Sequence, residues 1–128
     1  MNNETTNKKR ILIVDDDALY AGQVKEWLQD SYQVDAVTSG AQALRFLSMK
    51  KADLILLDYE MPEMDGPEVF RRLKENPETK NISIVFLTGV EEKEELGTMM
   101  GLRPNGYLLK VATRERLTGF VKQQLSEW

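Results

Sequence analysis

The 128-residue sequence contains no cysteine and no histidine. Without cysteine there can be no disulfide, no thiol nucleophile and no thiolate metal site. Without histidine the commonest general base is gone, together with every Ser-His-Asp triad and every Cys/His zinc site. No apolar run approaches the roughly 20 residues that a membrane-spanning helix requires. The first ten residues, MNNETTNKKR, carry no apolar core of a secretory signal, which points to a cytoplasmic location and no membrane partner. A net charge of −4 argues against nucleic acid as a direct partner, and the run Lys8-Lys9-Arg10 is too short to reverse that. Chemistry, if present, must run on carboxylates, hydroxyls, lysine, arginine and backbone groups.

With 41% hydrophobic residues and this length, one domain is expected over 10–128, preceded by a flexible polar tail over 1–9. Short β-branched and apolar runs alternate with stretches of helical spacing. Ile11–Val14 reads as a strand, followed by a helix burying Tyr20, Val24, Trp27 and Leu28 with Asp17 as its N-cap. Tyr32–Val37 reads as a second strand, and Ser39 with Gln42 as the capping box of a helix burying Ala43, Leu44 and Leu47. Leu54–Leu57 is apolar on both faces and is expected at the centre of a parallel sheet. A loop then carries Met61-Pro62 and Asp65-Gly66-Pro67. Val69, Phe70 and Leu73 face inward on the third helix, which ends at Asn76-Pro77. Ile82–Leu87 is the fourth strand. The fourth helix, about Glu92–Met100, begins in an acidic run and places Leu96, Met99 and Met100 on one core-facing side. Tyr107–Leu109 is the fifth strand, and a last helix from near Thr113 buries Leu117, Phe120, Val121 and Leu125. Five βα units with right-handed crossovers give an α/β fold, with helices on both faces of a five-stranded parallel sheet.

In such a sheet, chemistry gathers beyond the carboxyl ends of the strands, at the point where the strand order reverses. Asp15, Asp16 and Asp17 follow strand one, Asp58 follows strand three, Thr88 follows strand four and Lys110 follows strand five. An order of 2-1-3-4-5 makes strands one and three neighbours and brings Asp15, Asp16 and Asp58 together. Clustered carboxylates repel unless a cation joins them, and Mg²⁺ is the hard ion that such oxygens suit. Lys110 adds a mobile positive charge and Thr88 a hydroxyl, a combination fit for an incoming phosphoryl group. Asp17 and Asp65 read as helix caps.

The segments ILIVDDD, LILLDYEMPEMDG, VFLTG and GYLLK, in that order, resemble the receiver domain of two-component response regulators, from Arg10 to about Leu125. The resemblance implies a flavodoxin-like, CheY-like (βα)5 three-layer sandwich. It implies Asp58 as the phosphoacceptor, and Asp15 and Asp16 with Asp58 as the Mg²⁺ carboxylates, joined by the backbone carbonyl of Glu60. Thr88 resembles the hydroxyl that bonds the phosphoryl group, Lys110 its counter-charge, and Tyr107 the aromatic switch. The implied partners are a sensor histidine kinase or phosphotransfer protein carrying phosphohistidine, and a downstream effector on the surface of helix four, strand five and helix five. A homodimer is left open. On this reading the domain is no enzyme, beyond assisting its own phosphorylation and dephosphorylation.

Val111 stands where many receivers carry proline after the lysine, and a trans bond is expected there, because a non-proline cis bond costs roughly 3 kcal/mol. Gly89 is expected to leave room beside Thr88 for a phosphoryl oxygen. The position of Glu60 suggests an influence of its carboxylate on phosphoryl lifetime. Two other readings stand beside this one. One is a receiver-like binding module that works without phosphorylation. The other is a phosphatase of haloacid-dehalogenase type using Asp15 and Asp17, although only Glu115 and Glu127 follow the lysine to serve as its later acids.

Overall fold

Strands of this chain form around short β-branched and apolar segments, and the computed structural model, which describes residues 8–89 and 93–126, shows five of them. They are β1 (Arg10–Val14), β2 (Gln33–Val37), β3 (Leu54–Asp58), β4 (Ser83–Thr88) and β5 (Gly106–Leu109). The helices are α1 (Ala18–Leu28), α2 (Gly40–Met49), α3 (Gly66–Glu75), α4 (Lys93–Gly101) and α5 (Arg114–Gln124). All strand pairs are parallel and the order is β2-β1-β3-β4-β5. This is the flavodoxin-like arrangement of helices on both sheet faces. The central β3 is buried at every position, as its unbroken apolar run implies.

Alternation along the strands divides the core in two. Leu12, Val14, Ile55, Leu57, Ile84 and Phe86 pack under α2, α3 and α4. Ile11, Ile13, Leu54, Leu56, Val85, Leu87 and Leu108 pack under α1 and α5. Truncating one of these fully buried leucines to alanine is worth about 2–5 kcal/mol, a large part of a domain's whole stability. The same alternation assigns the polar residues at the strand ends. Asp15, Asp58 and Lys110 continue the positions that face α1 and α5. Thr88 and Tyr107 continue those that face α2 to α4.

Caps fix where the helices begin. Asp17 accepts from the N–H groups of Leu19 and Tyr20, Ser39 from Gln42, Asp65 from Glu68, and Thr113 from Arg116. Some details differ from the sequence expectations. Gln42 does not close a reciprocal box on Ser39. Its side-chain oxygen accepts from the N–H and hydroxyl of Thr38, one residue earlier. Tyr32 lies outside β2 because its N–H still bonds Leu28 at the end of α1. On α4, Met99 is fully buried but Met100 is 43% exposed. Consecutive helical positions diverge by about 100°, so both cannot point at the sheet. The expected helix start at Glu92, most of the expected tail over 1–9 and the final residues 127–128 lie outside the described residues. Among the described residues no helix is long and apolar enough to cross a membrane.

Candidate functional site

The site forms where β1 and β3 end side by side. Val14 pairs with Leu57 across these strands, so Asp15 and Asp58 are each the next residue along two neighbouring strands. Asp58 in turn pairs with Leu87, and Thr88 on β4 pairs with Leu109 just before Lys110. The Lys110 N–H donates to the Thr88 carbonyl at 2.8 Å, carrying the β4–β5 ladder up to the lysine. The sheet therefore aims residues far apart in sequence at one crevice.

Asp15 is fully buried and Asp58 is 3% exposed, whereas Asp16 is exposed at the rim. One carboxylate oxygen from each of the three lies within 4.8 Å of the others. The Asp17 N–H donates to Asp15 Oδ1 at 2.9 Å, and the Glu60 N–H donates to Asp58 Oδ1 at 3.3 Å. The Lys110 ammonium stands 2.8 Å from Asp15 Oδ2 and 3.2 Å from Asp58 Oδ1. Asp15 Oδ2 is buried without a hydrogen-bond donor, so the lysine contact there is one of charge, off the hydrogen-bonding direction.

These surroundings push the Asp58 carboxyl up from 3.8 to about 7. Burial is the main cause, followed by the charge of Asp15, with Lys110 opposing and a hydrogen bond to Asp16 favouring the acid form. Burial alone would lower the Lys110 ammonium, but the close contact with Asp15 and the charge of Asp58 hold it above its ordinary value. The site gathers three carboxylates about one ammonium. Its donors are all oxygen, and a buried carboxylate oxygen is left without a donor. That is the chemistry of a hard, oxygen-ligated divalent cation.

The loop that carries Asp58 onward is tightly held. The Gly66 N–H donates to the Tyr59 carbonyl at 3.1 Å, and the Tyr59 N–H donates to Leu87 at 2.9 Å. A Cβ on Gly66 would strike the Asp58 carbonyl oxygen and stand 2.8 Å from Tyr59 Cα, so only glycine lets α3 approach this closely. The Tyr59 ring meets Phe86 edge-on at 5.2 Å, and Phe70 of α3 stacks on Phe86 at 5.5 Å. Between them, Glu63 sits at φ 69° at the centre of a tight turn closed by the Met64 N–H and the Pro62 carbonyl at 2.8 Å.

The structure thus brings Asp15, Asp16, Asp58 and Lys110 into contact range and leaves Asp17 as a helix cap. That removes the second acid of the phosphatase alternative from the crevice. Thr88 is buried one step past the partner of Asp58, and Tyr107 is half-buried against the α2–α4 side of the core. Glu60 is exposed beside the cluster. A Cβ at Gly89 would meet nothing within 4 Å, so the chain is open beside Thr88. Among the described residues no peptide bond is cis, and Lys110 reaches both buried acids with a trans bond to Val111. One neighbour had read simply as helix core. The Tyr20 ring lies 5.2 Å from the Lys110 ammonium. Its hydroxyl is buried without a hydrogen-bond partner, and burial chiefly raises its pKa to about 12.

Comparison with known proteins places this geometry. Residues 11–122 match the family model described as the response regulator receiver domain. A probable cyclic di-GMP phosphodiesterase of Vibrio cholerae is 41% identical over 103 residues, which is 79% of this chain and 23% of that protein. The chain thus spans about a quarter of that relative, and the activity in its name is a statement about that protein. The response regulator Rcp1 of Synechocystis sp. is 30% identical over 138 aligned residues, covering 100% of this chain and 94% of Rcp1. Among solved structures, the Vibrio cholerae chemotaxis response regulator CheY4 superposes with a TM-score of 0.86 at 27% identity, covering 93% of this chain and 100% of CheY4. The Mn²⁺-bound form of Rcp1 does so with a TM-score of 0.76 at 31% identity, covering 94% of both chains. The chain belongs to the receiver domain family of two-component response regulators.

Proposed function

We propose that this receiver domain accepts a phosphoryl group on Asp58 and answers with a changed binding surface. One observation carries the reading above all: the buried Asp58 carboxylate shares its crevice with Asp15, Asp16 and the Lys110 ammonium. Asp15, Asp16 and Asp58, with the Glu60 carbonyl, would hold Mg²⁺, and the Mn²⁺-bound form of Rcp1 supports a divalent cation in this family. When bound, the ion neutralises the acids and draws phosphoryl oxygens toward them.

The chain's own residues do the rest. An Asp58 carboxylate oxygen forms a bond to phosphorus. The bond from phosphorus to the donor breaks, and its electron pair leaves with the imidazole of a phosphohistidine or with the carboxylate of a small acyl phosphate. The donor protein is a sensor histidine kinase or a phosphotransfer protein. Lys110, already on Asp58, turns its ammonium to a phosphoryl oxygen, and the Thr88 hydroxyl bonds another. In the structure Thr88 continues the α2–α4 side of the sheet with Tyr107. Drawing its hydroxyl toward Asp58 opens space for the Tyr107 ring and reshapes the surface of α4, β5 and α5. A cytoplasmic downstream effector reads that surface. Phosphorylation shifts the balance of states only as far as the new bonds favour one of them.

The test incubates the protein with Mg²⁺ and acetyl phosphate and measures intact mass. Wild type is expected to gain one phosphoryl group, and D58N none. Label that survives D58N but needs Asp15 supports nucleophilic attack by Asp15, and no label with no Mg²⁺ affinity supports a module independent of phosphorylation.

A further inference from the structure

Lys110 ends in a flexible stem with four rotatable side-chain bonds, and fixing its head costs entropy that some contact must offset. The backbone bond to Thr88 holds its Cα. Val111, 82% exposed, offers the head no wall. Among the described residues the ammonium touches three things: Asp15 Oδ2 at 2.8 Å, Asp58 Oδ1 at 3.2 Å and the Tyr20 ring face, with 5.2 Å to its centroid. The two carboxylates are the oxygens a divalent cation would claim. Of the three contacts, only the aromatic face cannot be taken by a metal. An ammonium on a ring face is held electrostatically, and more firmly where water is excluded.

The ring is itself firmly seated. Tyr20 lies in the first turn of α1, whose start is fixed by the Asp17 cap on its own N–H at 3.2 Å. It packs against the α1–α5 side of the core, the side that Asp15, Asp58 and Lys110 face. Its hydroxyl is buried with no partner, an expense that a leucine at this helical position would avoid. An aliphatic residue would fill the core; the aromatic ring adds a surface for the cation.

We propose that Tyr20 is a positioning residue for phosphoryl transfer, its ring face keeping the Lys110 ammonium beside the crevice while the carboxylates are occupied by metal and phosphoryl group. This rests on the phosphoacceptor reading above. Tyr20 acts through Lys110 and touches no reacting atom.

The experiment compares wild type with Y20L, Y20M and Y20F, each confirmed as folded by thermal melting; Y20M, longer and unbranched, fills the same space differently should Y20L unfold. Two readouts are taken. The first is the rate of phosphorylation by acetyl phosphate with saturating Mg²⁺, followed by intact mass. The second is acylation of Lys110 by acetic anhydride with saturating Mg²⁺ and no phosphoryl donor, followed by peptide mass against Lys25 on the exposed side of α1. The aliphatic variants are expected to slow phosphorylation about fivefold and to raise Lys110 labelling by a similar factor, the range open to a partly buried cation–ring contact. Y20F is expected to rescue both to within about twofold, because the ring and not the hydroxyl holds the lysine. An aliphatic variant that matches wild type in either readout overturns the proposal, as does a Y20F that behaves like Y20L. A wild type that takes up no phosphoryl group overturns the acceptor reading and the positioning role with it. Normal wild-type uptake with an unaffected Y20L overturns the role of Tyr20 alone.

Discussion

Replacing Asp58 with asparagine tests the electrostatics of the crevice without any phosphoryl donor. Folding raises the Asp58 carboxyl from 3.8 to about 7. Between those values the folded protein binds more protons than the unfolded chain, so stability falls as pH rises. The contribution is fully present below the unfolded value near 4 and is lost by the time pH passes 7. A shift of about three units corresponds to roughly 4 kcal/mol at 1.36 kcal/mol per unit. The crevice mouth is open to water at the exposed Asp16, and screening there reduces the expected effect to about 2 kcal/mol. D58N keeps the shape of the neutral acid and does not titrate. In urea unfolding with a chelator present, D58N should therefore be the more stable protein by about 2 kcal/mol near pH 8, and the gap should close toward pH 4. Adding Mg²⁺ should invert the order. A ligand at a hundred times its dissociation constant stabilises by about 2.7 kcal/mol, and D58N has lost one of the ion's carboxylates. A D58N protein no more stable than wild type at pH 8, or a gap that does not change with pH, would refute this account of the acid cluster.

Three further substitutions address the surroundings. G66A should destabilise by about 3 kcal/mol in chemical denaturation, because the new methyl group meets backbone that cannot yield; a cost within error would show that α3 is free to retreat. E60A removes a charge near the acceptor, worth about 1 kcal/mol in screened water and so about fivefold in rate, and the decay of phosphorylated mass should change by that factor. An unchanged decay removes Glu60 from the account of phosphoryl lifetime. E63G relieves a side chain held at φ 69° and should raise stability by about 1 kcal/mol, read as a shift of the urea midpoint at constant slope; a loss instead would mean that the Glu63 side chain makes a stabilising contact.

The central strands were legible because β1, β3 and β4 are short apolar runs buried on both faces, which leaves no polar alternation to confuse with a helix. The approach of Asp15 to Asp58 followed from topology, since parallel crossovers admit few strand orders. What could not be read was direction. Helical spacing marks Tyr20 as core, and it is core, yet the same spacing says nothing of the lysine carried by a strand 90 residues later. The spacing that grouped Met99 with Met100 was too coarse to separate adjacent positions on a two-turn helix. Gly66 showed as a turn residue beside Pro67. Its role in admitting α3 to the Asp58 carbonyl depends on a distance between two segments, which no local pattern encodes.

The packing around that glycine makes the crevice unequal in compliance. On the α3 side the backbone of Asp58 and Tyr59 is braced by Gly66, by the hydrogen bonds of Tyr59 to Leu87 and Gly66, and by the cluster of Tyr59, Phe86 and Phe70 rings. On the β5 side the neighbours are one flexible lysine and a half-buried tyrosine. A load applied at Asp58 therefore deforms the soft flank and leaves the stiff one in place. On the proposed switch, a bulky label attached along α2 or α3 would sit on the stiff flank, and the same label on α4 or β5 on the flank expected to yield.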